Sequence, residues 1–215
     1  YAPQTMLAPD GRRIMIGWMQ NWDATNLSAP EERLWFGQMS LPRELSIKNG
    51  RLYQRPVREL DELRRNKVVH KNVTFSGITR LDGINGRRID MELTLRAEDK
   101  EKLYQKFAVR FAQNDTYHTA ISFRPLESIL KVDRKFSGTR RAIVHQRRSL
   151  VDSSDGELKL RIILDRFSVE IFVNDGEQVM SATLYTDPKI DGISFFADGN
   201  VTMDVVKYDL VTEED

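Results

Sequence analysis

Apolar and polar residues alternate through the second two-thirds of the chain. Leu158, Leu160, Ile162 and Leu164 are separated by polar positions for most of their length. Asp165-Arg166 then offers a tight turn. Beyond it Phe167, Val169, Ile171 and Val173 alternate with Ser168, Glu170 and Asn174. A period of two places one set of side chains on each face of a strand. Asn174-Asp175-Gly176 turns the chain again, and Val179 to Tyr185 reads as a third strand. Consecutive antiparallel strands with one buried face predict a sheet of a sandwich or barrel. Further runs between 67 and 212 are punctuated by Asp82-Gly83, Asn85-Gly86, Asn114-Asp115, Asp155-Gly156, Asp191-Gly192 and Asp198-Gly199. That number of strands favours a sandwich of two sheets. Each strand offers roughly three or four large side chains for burial, at about 1.5–3 kcal/mol apiece, so this unit is expected to fold by itself.

The first region, residues 1 to about 55, is also strand and turn. Asp10-Gly11 is a turn signal, and Ile14-Met15-Ile16 reads as a buried strand ending in Gly17-Trp18. Residues 21 to 33 are polar and read as a loop, and Leu34 to Leu45 resumes strand character. Asn49-Gly50 lies between Leu45-Ser46-Ile47 and Leu52-Tyr53 and supplies the positive φ angles of a tight hairpin. Val57, Leu60 and Leu63 recur every three residues after Pro56, which predicts a short helix over 57–65. The division expected is an incomplete β unit over 1–55, a connector helix over 56–66 and a β-sandwich over 67–215. The first unit has too few strands to close a core. It is expected to lean on the sandwich or on upstream chain, and to be sticky alone.

Charge narrows the partners. Lys plus Arg is 33 and Asp plus Glu is 32, a formal net charge of +1. No large field draws in a polyanion, and the paired arginines (Arg12-Arg13 and Arg147-Arg148 among them) are scattered among acids. A nucleic-acid partner is not expected. No apolar run is long enough to span a bilayer as a helix, so neither is a membrane. Cysteine is absent, which excludes disulfides and thiolate metal sites and fits a reducing compartment. A cytoplasmic location is favoured over a secreted one. The Asn-x-Ser/Thr triplets at Asn26, Asn72, Asn114 and Asn200 matter only in a secreted eukaryotic protein. His70, His118 and His145 have no metal-like spacing. The chain starts at Tyr1 without a leader pattern and reads as beginning inside a larger protein.

Three strings resemble a known family: Tyr1-Ala2-Pro3-Gln4; Arg13-Ile14-Met15-Ile16-Gly17-Trp18-Met19-Gln20-Asn21-Trp22; and Gly37-Gln38-Met39-Ser40-Leu41-Pro42-Arg43-Glu44-Leu45. They are similar to the end of the catalytic domain in glycoside hydrolase family 32, which comprises invertases, sucrose-6-phosphate hydrolases, levanases and inulinases. Leu164-Asp165-Arg166-Phe167-Ser168-Val169-Glu170-Ile171-Phe172-Val173-Asn174-Asp175-Gly176 resembles that family's sandwich signature. The resemblance implies an all-β fold, a five-bladed β-propeller followed by a β-sandwich, with residues 1 to about 50 as the last blade. It also implies a fructoside substrate, bound by the intact propeller, and retaining hydrolysis by two carboxylates. The family's motifs for those carboxylates (Trp-Met-Asn-Asp-Pro-Asn-Gly and Glu-Cys) and for a third, in Arg-Asp-Pro, do not occur in the sequence. No catalytic residue is therefore assigned, and no cofactor or metal is implied.

The substrate-binding candidates are aromatic. A sugar presents apolar C–H faces that an indole can cover, and an N–H or nearby amide can serve its hydroxyls. Trp18 matches the family's aromatic wall and is the first candidate. Trp22 on the adjoining loop is the second, and Tyr1 matches a family tyrosine near the pocket. Against this, a tryptophan beside a buried strand is often core, and a chain terminus is rarely well held. Gln20 and Asn21 could bond sugar hydroxyls or cap the loop. Asp23, Glu31, Glu32, Glu44 and Glu170 read as surface carboxylates, with Arg43 and Glu44 as a local ion pair. The alternative to an enzymatic role is that the sandwich is a binding or stabilising module: a buttress for the propeller, a lectin-like surface or a homodimer interface. An independent sandwich protein unrelated to fructosidases is the third reading, disfavoured because the first region cannot close alone.

Overall fold

The computed structural model describes residues 1–19, 37–138, 145–153 and 155–212. Among them the structure is all-β, with short 3-10 turns and two antiparallel sheets. The first sheet holds β1 (Gln4–Leu7), β2 (Arg13–Ile16), β3 (Arg43–Lys48) and β4 (Arg51–Pro56), in the order β1-β2-β3-β4. Asn49 (φ 51°) and Gly50 (φ 74°) join β3 to β4, and Lys48 pairs with Arg51 across the turn. Two successive positive φ angles twist the chain in the sense the flanking strands need, as the Asn-Gly dipeptide predicts. This sheet leaves Met6, Leu7, Ile47 and Leu52 exposed, in keeping with a unit that does not close a core.

The connector is a 3-10 helix, Arg58–Leu63, and not an α-helix. Val57, Leu60 and Leu63 are all half-buried. A spacing of three matches the three residues per turn of a 3-10 helix, so the apolar spacing encodes this tighter form. The next strand starts at Arg64, inside the connector expected over 56–66.

The second sheet has ten strands. They are β5 (Arg64–Thr79), β6 (Ile89–Ala97), β7 (Lys106–Gln113), β8 (His118–Arg124), β9 (Ile129–Phe136), β10 (Gln146–Leu150), β11 (Leu158–Asp165), β12 (Ser168–Val173), β13 (Gln178–Thr183) and β14 (Gly192–Leu210). Strand β14 is the spine. Its first half pairs with β7, its second half with β6, and β5 runs along its other edge. One arm continues from β7 through β8 and β9 to β10, the other from β6 through β11 and β12 to β13. Phe107 and Phe123 of the first arm, Leu93 and Ile171 of the second, and Phe195 of the spine belong to one buried core. The sheet is thus nearly closed, like a barrel.

Asp198-Gly199 is not a turn between strands. It lies inside β14, where the register shifts between Ala197 and Val201. A bulge kinks and twists a strand, and here it carries β14 from one arm to the other. Gly199 has φ +102°, and a Cβ there would stand 3.0 Å from the Tyr104 Cα.

The β11–β12 hairpin is closed by Asp165 opposite Ser168, so Arg166-Phe167 forms its loop, one residue later than the sequence pattern suggests. Asp165 Oδ1 accepts the Arg166 N–H at 2.7 Å. Strand β12 departs from simple alternation, because everything from Val169 to Val173 is buried. Val169, Ile171 and Val173 belong to the core. Glu170 and Phe172, on the other face, are covered by the first sheet.

Candidate functional site

Leu41, Pro42 and Arg43 lead into β3 and lie against β12. Glu170 is 2% exposed, and its two oxygens have different tasks. Oε1 accepts the Leu41 N–H at 2.5 Å, and Oε2 accepts from Arg43 Nε at 3.0 Å and from Arg43 Nη2. The Arg43 guanidinium also donates to Gln54 Oε1 at 2.9 Å and to Ser181 Oγ at 2.7 Å, and it stands 5.6 Å from the centre of the Phe172 ring. A carboxylate can be buried here because each of its oxygens is met by a donor. Glu170 is therefore a buried clamp between the sheets and not a surface carboxylate.

The Arg43–Glu44 pair expected from the sequence does not form. Neighbours on a strand point to opposite faces. Arg43 turns toward β12, while Glu44 accepts from Arg12 Nη1 at 2.7 Å and from Arg58 Nε at 3.0 Å. Hydrogen bonds from Arg58, reinforced by Arg12, hold the Glu44 carboxyl down at about 2. Arg12 holds Glu59 at about 2 as well. Both carboxylates stay ionised at neutral pH, so neither has the raised pKa of a general acid.

Trp18 and Tyr1 sit side by side at one end of the first sheet. The Trp18 N–H donates to the Tyr1 carbonyl at 2.8 Å, and the Tyr1 nitrogen donates to the Trp18 carbonyl at 2.6 Å. Trp18 is 39% exposed and Tyr1 64% exposed. Trp18 is therefore not a core residue, and one part of its indole is open. Its ring also lies against Gly37 (φ +88°), where a Cβ would come within 2.5 Å of the Trp18 Cζ2. Met39 pairs with Trp18 across an isolated bridge. The Met19 N–H donates to the Gln38 carbonyl, the Ser40 N–H to the Gly17 carbonyl, and the Gly17 N–H to Ser40 Oγ. Trp22, Gln20, Asn21, Asp23, Glu31 and Glu32 lie outside the described residues.

The remaining candidates are dispersed. His118 stacks on Phe136 with centroids 5.3 Å apart, and burial with nearby Arg110 lowers its pKa. His70 contacts the Asp82 carbonyl at 2.9 Å. Among the described residues no cluster of three or more His, Cys, Asp or Glu could hold a metal, and no helix is long and apolar enough to cross a membrane. Between the sheets a cleft of about 420 Å³ is lined by Arg55, Arg58, Lys159, Arg161 and Phe172 among others.

Sequence reasoning missed the role of Glu170. The signal was Phe172, a large apolar residue on the same strand face. A phenylalanine two positions from the glutamate indicates that this face, too, is covered.

The architecture is shared with solved enzymes. Sucrose-6-phosphate hydrolase from Lactobacillus gasseri superimposes with a TM-score of 0.79 at 25% identity, over 99% of this chain and 42% of that one. Fructan 1-exohydrolase IIa from Cichorium intybus gives a TM-score of 0.85 over 98% and 48%, and at 20% identity that likeness concerns the fold alone. The class this fold defines is that of the all-β proteins that share the architecture of these enzymes. The profile of the Glycosyl hydrolases family 32 C terminal matches residues 59–211, and that of the Glycosyl hydrolases family 32 N-terminal domain matches residues 1–56. The chain belongs to glycosyl hydrolases family 32. Among curated relatives, the sucrose-6-phosphate hydrolase of Staphylococcus xylosus is 33% identical over 98% of this chain and 42% of its own length. The levanase of Bacillus sp. (strain L7) is 34% identical over 89% of this chain and 21% of its own length. The chain thus spans less than half the length of these relatives.

Proposed function

We propose that this chain is the carboxy-terminal portion of a glycoside hydrolase that cleaves terminal β-fructofuranosides, such as sucrose, sucrose 6-phosphate or fructan, with retention. The observation that supports it most directly is the pair of family 32 profiles, which meet between residues 56 and 59 and cover nearly the whole chain in order. Relatives named as sucrose-6-phosphate hydrolase, levanase and raffinose invertase agree with this class of substrate.

In this reading residues 1–55 are the closing blade of a five-bladed propeller, 56–66 the connector and 67–215 the sandwich. Retention needs a nucleophilic carboxylate and an acid–base carboxylate roughly 5–5.5 Å apart. The chain has neither family motif, so the 215 residues alone are inactive. Trp18 forms part of the wall against which the sugar packs, with Tyr1 beside it and Trp22 as a further candidate. The sandwich stabilises the propeller through the Glu170 clamp.

Fructose release from sucrose tests the reading, with this chain and the intact upstream-extended protein assayed side by side. Release by the extended protein alone is the expected result. Release by the 215 residues would mean that a carboxylate within them is catalytic.

A second reading, in which the sandwich also holds a sugar polymer, is favoured by the inter-sheet cleft. Its volume suits a small ligand and it mixes charged groups with Phe172. Saturable binding of inulin to this chain would support it; no binding would leave the sandwich a buttress. The exposed apolar side chains of the first sheet leave a homodimer compatible with either reading.

A further inference from the structure

The segment from Gly37 to Arg43 connects the candidate sugar wall to the second sheet. At its start Gly37 packs beneath the Trp18 indole, and Gln38, Met39 and Ser40 are laced to Gly17, Trp18 and Met19 by the backbone bonds described above. At two further points the same segment is fixed to one hairpin of the second sheet. Gln38 Nε2 donates to the Phe167 carbonyl at 2.8 Å, and Glu170 takes the Leu41 N–H and the Arg43 guanidinium. Phe167 and Glu170 are three residues apart on the β11–β12 hairpin, so both anchors move as one body. A half-exposed indole is held in place through its backbone neighbours, and those neighbours are held from the other sheet.

We propose that Glu170 and Gln38 are positioning residues for the sugar site. They fix the height and tilt of the Trp18 face from the second sheet, making the sandwich a determinant of substrate affinity as well as a support. The inference rests on the reading of Trp18 as a sugar-contacting wall. Glu170 suits the task because its carboxylate is buried and each oxygen is committed to a different donor, which leaves the segment little freedom. Loss of either anchor lets the wall shift, and misplacement of about an ångström is enough to weaken a bound geometry strongly.

The test is a mutant cycle in the intact enzyme, read as KM and kcat for the fructoside it cleaves fastest. Trp18→Ala is expected to raise KM. Glu170→Gln keeps size and one acceptor but loses the charge, and is expected to raise KM by on the order of tenfold, with little change in kcat. Gln38→Met, which removes a single half-buried donor, is expected to act in the same direction and serves if Glu170→Gln does not fold. The decisive readout is coupling. In a Trp18→Ala background the effect of Glu170→Gln or Gln38→Met on KM should disappear. If Trp18→Ala raises KM but the positioning variants lower only the melting temperature, or act equally in both backgrounds, the positioning role is wrong. If Trp18→Ala leaves KM unchanged, it is the sugar-wall reading itself that fails.

Discussion

Gly176 is pressed against the carbonyl of Gln54. A Cβ at this glycine would stand 2.1 Å from the Gln54 oxygen, and its φ is +94°. The contact lies where the turn after β12 meets β4, and Arg55 Nε reinforces it by donating to the Asp175 carbonyl at 2.8 Å. Gly176→Ala therefore combines backbone strain with a clash that parts the two sheets. The expected cost is about 1–3 kcal/mol or more, measured as a lower urea midpoint. An unchanged midpoint would mean that the sheets do not meet there.

The Arg43–Glu170 pair is a buried ionic contact between the sheets. Removing one partner leaves an uncompensated charge, so Glu170→Ala should cost about 3–5 kcal/mol. Replacing both, as in Arg43→Met with Glu170→Leu, should recover much of that loss, because no lone charge remains. Urea denaturation of the two variants beside the parent distinguishes the cases.

Acid should loosen the contacts that Glu44 and Glu59 make with Arg58 and Arg12. Glu44 and Glu59 are both held at about 2, Glu44 chiefly by Arg58 and Glu59 chiefly by Arg12. A carboxyl whose folded pKa is depressed stabilises the fold fully above its unfolded pKa, and loses that contribution as pH falls through the folded value. The window is therefore from about pH 4.5 down to about pH 2. Glu44→Gln should flatten the fall in unfolding midpoint across that window and leave the slope above it unchanged. Equal slopes in parent and variant would show that Glu44 is not so held.

Gly37→Ala approaches the Trp18 indole from beneath. The added Cβ would meet the Trp18 ring at 2.5 Å, at a φ of +88°, so the indole must lift. In the intact enzyme KM should rise by on the order of tenfold, equivalent to about 1.4 kcal/mol, alongside a loss of stability from the same positive-φ strain that Gly176→Ala meets. A large stability loss with unchanged KM would place Trp18 away from the sugar.

The exposed Met6, Leu7, Ile47 and Leu52 predict that this chain, studied alone, self-associates. Light scattering should show mass rising with concentration, and Met6→Lys with Ile47→Lys should reduce the effect. A strictly monomeric parent at high concentration would show that these side chains do not form an adhesive surface.

Local rules written along the chain fixed much of the fold. Period-two alternation marked β11, β12 and β13. Asn49-Gly50 set a hairpin because two positive φ angles are cheap only for such residues. The spacing of Val57, Leu60 and Leu63 announced a short helix. These features depend on a residue and its near neighbours, and can be read without knowing what lies above them. The strings around Trp18 suggested it as a candidate, but gave no sign of its seat on Gly37. What surrounds Glu170, Glu44 and Asp198-Gly199 was not legible. Glu170 has the polar place of a surface residue in an alternating strand, and only the docking of the first sheet turns that face into an interior. Glu44 stands next to Arg43 in sequence, yet strand geometry sends the two to opposite faces, Glu44 to Arg12 and Arg58 and Arg43 to Glu170. Asp198-Gly199 has the composition of a turn, and becomes a bulge because β14 finds partners on both sides and is held extended. Burial and ion pairing are properties of whatever covers a face, and for Glu170 that cover comes from residues more than a hundred positions away.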